Sequence, residues 1–179
     1  MAITDMHKFT VQEKLNKMDV DVITITTASV TSDASGKMAI LPTEIPNAVA
    51  VKGGTSLLQT CLVYNPSGND LPLDIFISDT ISGFSSASVG TTIDGTDLNH
   101  DTIADNDSNV ATIMEGVQCV FNTGTGIDVG SGDTVNYVGS IGAPVKAASD
   151  STSLYLWAIA RSSGDPDAAL KIKLGFVKD

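Results

Sequence analysis

The chain reads as an all-β protein: an antiparallel β-sandwich or jelly roll preceded by a short N-terminal helix or arm. Three observations carry that expectation. About eight to ten short apolar runs are separated by clusters of Gly, Asn, Asp, Ser and Pro, the residues that turn a chain between strands. No stretch interleaves strand and helix periods as a parallel βαβ sheet would require. Charged residues are only 17% of the 179, and small residues fill much of the remainder, which suits short strands joined by turns.

Taken in order, residues 1–18 form the arm. Thr10-Val-Gln-Glu13 fits a capping box, in which each end residue satisfies the other's free backbone N–H. A helix over 11–18 then brings Val11, Leu15 and Met18 near one face. The β domain is expected to span 19–179. Ile23-Thr-Ile-Thr26 alternates with period two, as a half-buried strand does. A strand is expected at Ala48–Lys52 after Pro46, with Gly53-Gly54 turning the chain into Leu57–Tyr64. The turn-rich Asn65–Asp70 follows, then Leu73–Ile77, so these last two strands read as a hairpin.

Residues 78–109 are rich in Ser, Thr, Gly and Asp, with short strands expected at Ser88–Ile93 and Val110–Met114. A loop that long inside a compact domain is usually functional. Val117–Phe121 reads as a strand with Val117, Cys119 and Phe121 on one side. A further turn region at 122–134 leads to a strand near Val135–Ile141. Leu154–Ala160 is apolar at both parities, so it should be central and covered on both faces. Leu170, Ile172, Leu174 and Phe176 alternate with Lys171, Lys173 and Gly175, giving one core face and one wet or partner-facing side. Cys61 and Cys119 lie in strand-like runs and read as buried reduced thiols; pairing across neighbouring strands stays open.

The net charge of −11 is unevenly placed. Between Gly53 and Pro144 there are eleven acids and no Lys or Arg, while the ten acids outside that region balance all ten bases. Such a field repels nucleic acid, which needs clustered Lys and Arg. It points to an acidic middle facing solvent and mixed-charge ends facing a partner. No apolar run approaches the ~18 residues of a spanning helix, so no membrane segment is expected. The N-terminus lacks the apolar core of a secretory signal, so synthesis in a cytoplasm is expected.

Catalytic patterns are sparse. His7 lies in the arm and His100 in an acidic loop; a Ser-His-Asp set built on His100 lacks a nucleophile-elbow sequence. Ser35-Gly36-Lys37-Met38 lacks the first Gly and the Ser/Thr of a phosphate loop. No zinc spacing occurs. Calcium candidates are Asp97, Asn99 and Asp101, with Asp105 and Asp107 in a second alternating run. Neither run carries the Gly and Glu that complete an EF-hand loop, so turn formation is the expected role. No enzyme, metal or cofactor is therefore expected.

A small, acidic β domain rich in Ser, Thr and Gly, with Ala48-Val-Ala-Val-Lys-Gly-Gly-Thr-Ser-Leu-Leu-Gln-Thr-Cys-Leu-Val-Tyr-Asn-Pro-Ser-Gly68 at its centre, resembles the capsid decoration (cement) proteins of tailed bacteriophages. The resemblance lies in general character and carries no diagnostic motif. It implies a jelly-roll-like body made in the host cytoplasm. It also implies a homotrimer on the outer surface of the virion, stabilising the shell by bridging copies of the major capsid protein. The residues themselves add an arm whose Lys8, Phe9, Lys14, Leu15 and Lys17 are the candidate partner contacts. The alternative expectation is a tail or fibre component or a glycan-binding jelly-roll module. Sugar platforms need exposed aromatics, whereas Tyr155 and Trp157 fall in a core strand and Phe84 is the one aromatic of the long loop.

Overall fold

The computed structural model describes residues 19–30, 36–67, 71–84, 108–161 and 168–178. They form ten strands and one helix: β1 (Asp19–Val30), β2 (Met38–Ile45), β3 (Thr55–Asn65), β4 (Leu73–Ser78), α1 (Ser108–Glu115), β5 (Val117–Asn122), β6 (Ile127–Gly130), β7 (Asp133–Val138), β8 (Ala143–Lys146), β9 (Leu154–Ala160) and β10 (Ala168–Lys178). The expected all-β sandwich is present as two antiparallel sheets. The larger runs β1-β10-β3-β7-β6, with β8 also paired to β3; the smaller runs β2-β9-β4-β5. The order is nested: β1 takes β10, β2 takes β9, β3 takes β7 and β8, and β4 takes β5. That is a long antiparallel hairpin rolled on itself, the order of a jelly roll.

Period-two alternation aims one side of each sheet at the other. From the larger sheet come Ile23, Ile25, Leu58, Cys61, Val63, Leu170, Ile172, Leu174 and Phe176; from the smaller come Leu73, Ile75, Ile77, Leu154, Leu156 and Ala158. All belong to one apolar cluster, and each fully buried Leu, Ile or Phe contributes about 1.5–3 kcal/mol. Strand β9 is buried on both faces, as its uninterrupted apolar run predicts. Its outward Trp157 belongs to a second cluster with Met38 and Ile113, flanked by Leu41, Phe76, Phe84, Val117 and Ile159.

Several expectations are corrected. Residues 48–51 are bends and Lys52 begins a turn, so no strand forms; Asn47 and Gly53 on either side take positive φ (53° and 66°), outside the extended region. Ala48 and Val49 are nonetheless buried, because Val49 N–H donates to the Thr152 carbonyl and ties the loop to the core. Leu57–Tyr64 and Leu73–Ile77 are not a hairpin. Their strands lie in opposite sheets, where Leu58, Cys61 and Val63 meet Leu73, Ile75 and Ile77 across the core. Val110–Met114 is helical: of the described side chains in α1 only Ile113 is buried, so strand alternation is absent, and Gly116 ends the helix by donating to the Ile113 carbonyl at 3.2 Å. Val117 does not share a side with Cys119 and Phe121, since a bulge opposite Ile77 and Ser78 turns it onto the Trp157 cluster. The turn region 122–134 contains strand β6, and β2 and β8 were not expected. The arm helix and the Ser88–Ile93 strand lie outside the described residues.

Both cysteines are free thiols. Burial pushes Cys61 up to about 12 and raises the half-buried Cys119 as well, so neither is a thiolate near neutrality.

Candidate binding surface

The two outer faces of the sandwich differ. On the smaller sheet, Trp157 is fully buried: Phe76 stacks on it at 3.9 Å, Phe84 meets it edge-on at 5.2 Å, and Ile113 of α1 packs beside it. Its Nε1 has no hydrogen-bond partner. An aromatic sealed in this way offers no platform to a sugar, in keeping with the core role read for Trp157.

The outer face of the larger sheet has no such cover among the described residues. Register fixes what stands side by side there. Val20 neighbours Val177, then Leu57, then Pro144. Val22 neighbours Gly175 and then Thr60. Thr24 is followed by Lys173, Leu62 and Tyr137. Thr26 is followed by Lys171, Tyr64, Val135 and Ile127. Five strands at ~4.8 Å spacing and four rows at ~6.8 Å make this face roughly 20 Å on a side, or about 400 Å². Val20 is 71% and Ile127 68% exposed, and Val22 and Tyr137 are also exposed. The apolar side chains are interrupted by Thr24, Thr26, Thr60 and the lysines, so the exposed apolar area is a fraction of that face.

The charge on this face is positive. Lys171 and Lys173 project from β10 beside its core residues, as the alternation predicts, and both are exposed. Among the described outward-facing residues of the larger sheet the carboxylate is Asp133, and it is engaged: the Tyr64 hydroxyl donates to Asp133 Oδ2 at 2.6 Å. That bond, which the phenolate cannot make, holds the Tyr64 phenol above its ordinary range. On the opposite side of the molecule Asp74 pairs with Arg161 at 2.7 Å, and Glu115 is exposed on α1.

The predicted contacts Lys8, Phe9, Lys14, Leu15 and Lys17 lie outside the described residues, as do Asp97, Asn99, Asp101, Asp105, Asp107 and both histidines. Among the described residues no group of three or more His, Cys, Asp or Glu is placed to hold a metal ion, and no helix is long and apolar enough to cross a membrane. A cavity of about 30 Å³ between β1 and β2, lined by Thr27, Ala28, Ala39, Ile40, Leu41 and Thr43, is the size of one water and presents no titratable group. Sequence reasoning identified the lysine side of β10 but not Val20, Val22, Ile127 or Tyr137. For the first two the signal was present: in Val20-Asp-Val22-Ile23-Thr-Ile25 the apolar parity switches after Val22, so one set must lie off the core.

No family model and no curated protein matches the chain. Among solved structures, a chain from the X-ray structure of tomato aspermy virus aligns over 89% of this chain and 76% of its own length, with 14% identity and a TM-score of 0.32. Agreement at that level falls short of a shared topology; the jelly-roll order rests on the strand pairing alone.

Proposed function

We propose that the chain is a non-enzymatic structural protein of a bacteriophage virion, a decoration protein that binds the outer surface of the capsid and stabilises it. The observation that carries this reading is the asymmetry of the sandwich: α1 and aromatic side chains cover Trp157 at the middle of one sheet, leaving Val120 and Met114 exposed around it, while the other sheet presents an outer face of about 400 Å² in which apolar side chains, threonines and lysines alternate. The jelly-roll order is compatible with the reading without selecting it, since viral capsid, lectin and cupin domains all use that order. A standard interface takes about 800 Å² per partner, so this face supplies roughly half of one. A homotrimer gripping several copies of the major capsid protein, with residues 1–18 as an added contact, makes up the difference through multivalency.

Cosedimentation of the purified protein with emptied heads of the phage that encodes it tests the reading. Saturable binding, with heads that survive heating better than bare ones, is the expected result. Protein left wholly in the supernatant at all concentrations sinks it.

A further inference from the structure

We infer that the open face of the larger sheet docks on an acidic protein surface, one that presents carboxylates among apolar side chains. The inference takes from the proposed function only that this face is a contact surface, and it adds the chemistry of what lies opposite. Covering the face removes Lys171 and Lys173 from water, and a buried ammonium without a partner is costly. Among the described residues the face supplies one carboxylate, Asp133, whose charge survives its hydrogen bond from Tyr64 and offsets at most one of the two lysines. The remaining counter-charge therefore comes from the partner. Around the lysines stand Val20, Val22, Leu62 and Tyr137, which require apolar groups opposite them.

Charge decides against three occupants: a second copy, residues 1–18 and nucleic acid. A second copy packed by twofold symmetry brings the same patch, hence two more lysines and another engaged Asp133. Residues 1–18 hold Lys8, Lys14 and Lys17 against Asp5 and Glu13, so the chain's own arm is like-charged with the face. Nucleic acid meets two central lysines on a molecule of net charge −11, too little to neutralise a run of phosphates.

The test is a selection from a random-peptide library on immobilised full-length protein, read by sequencing the enriched peptides and by the affinity of the best of them. The expected result is enrichment of sequences that combine Asp or Glu with Leu, Val or Phe. Their affinity should fall about tenfold or more in K171E/K173E, and also with added salt, since exposed charges are screened. Both lysines are exposed, so the double variant should keep the wild-type thermal midpoint; K171A/K173A, which adds no charge, should give an intermediate loss. Enrichment of basic or uncharged peptides, no enrichment, or binding indifferent to K171E/K173E overturns the inference. Concentration-dependent self-association through the face would identify a second copy as occupant, and stronger peptide binding after deletion of residues 2–18 would identify the arm; either also overturns it. Cosedimentation of the same double variant separates this inference from the proposed function. Heads bound equally by variant and wild type leave the decoration role standing without the acidic partner, whereas acidic peptides bound without any binding of heads leave the reverse.

Discussion

At Thr27 the β1–β10 ladder loses register, and a side chain repairs it. Pairing is regular up to Thr26–Lys171 and resumes at Ser29–Ala169. In the gap the Thr27 hydroxyl accepts the Leu170 N–H at 3.0 Å and donates to the Ala28 carbonyl at 2.7 Å. An orphaned buried N–H costs about 1–3 kcal/mol, so this hydroxyl keeps the bulge affordable at the edge of the core. At the other end of the same pair, Lys178 points inward with its side chain 6% exposed, and its Nζ meets Asp21 Oδ2 at 2.7 Å. The Lys178 ammonium, first by its hydrogen bond and then by its charge, holds Asp21 below the usual carboxylate value of 3.8. A depressed carboxylate contributes stability that is complete above its unfolded pKa and is lost as pH falls through its folded pKa. Asp21 is 45% exposed, so water screens part of the attraction. Asp21→Asn should therefore cost about 1–2 kcal/mol at neutral pH, mostly through the nearly buried ammonium left unpaired. In urea titrations the gap between wild type and variant should close below the carboxylate range; a gap that stays constant from pH 7 to pH 2.5 would show that the pair contributes nothing. Neither the Thr27–Leu170 bond nor the Asp21–Lys178 pair is legible in the sequence, because they join residues 143 and 157 positions apart.

Among the elements, the corner between the sheets depends on one side chain. Among the described residues strand β8 pairs only with β3, and its far side faces β5 of the other sheet. Gln118 of β5 closes that side: its Nε2 donates to the Lys146 carbonyl at 2.7 Å and its Oε1 accepts the Lys146 N–H at 2.6 Å. The side-chain amide copies a ladder pair and blunts an otherwise open edge. Gln118→Ala should cost about 1–2 kcal/mol, less than a sealed pair because water can reach this exposed site. Amide exchange at Lys146 should accelerate while exchange at the β9 and β10 core amides is unchanged; an unaffected Lys146 amide would assign its protection to β3. The strands legible in the sequence are those with long unbroken periods, β9 and β10 above all. Strand β2 was hidden because Met38-Ala-Ile-Leu-Pro-Thr-Glu-Ile45 shifts register twice against β9 and contains Pro42, which an edge strand tolerates. Strands β6 and β8 are four residues each, too short to show a period. Helix α1 was hidden because it buries one described side chain, Ile113, and so lacks an apolar stripe.

For the molecule as a whole, the sequence disclosed a charge split, and the fold converts part of that split into geometry. Lys171 and Lys173 of β10 stand on the open face, while the exposed Glu115 and the Asp74–Arg161 pair stand on the covered side. The nested strand order could not be read beforehand. A rolled hairpin pairs first with last, and local periodicity contains no information about partners so distant. It is this order that sets β1, β10 and β3 side by side and gathers Val20, Val177, Leu57 and the lysines onto one surface. On the proposed function, this surface is where the protein is held. Electron cryomicroscopy of phage heads incubated with the purified protein resolves which face meets the shell. The expected result is ordered density on the outer surface of the head, with the larger sheet against the shell and residues 108–115 toward solvent. Density seated through α1 and the smaller sheet, or heads left bare at saturating protein, would contradict it.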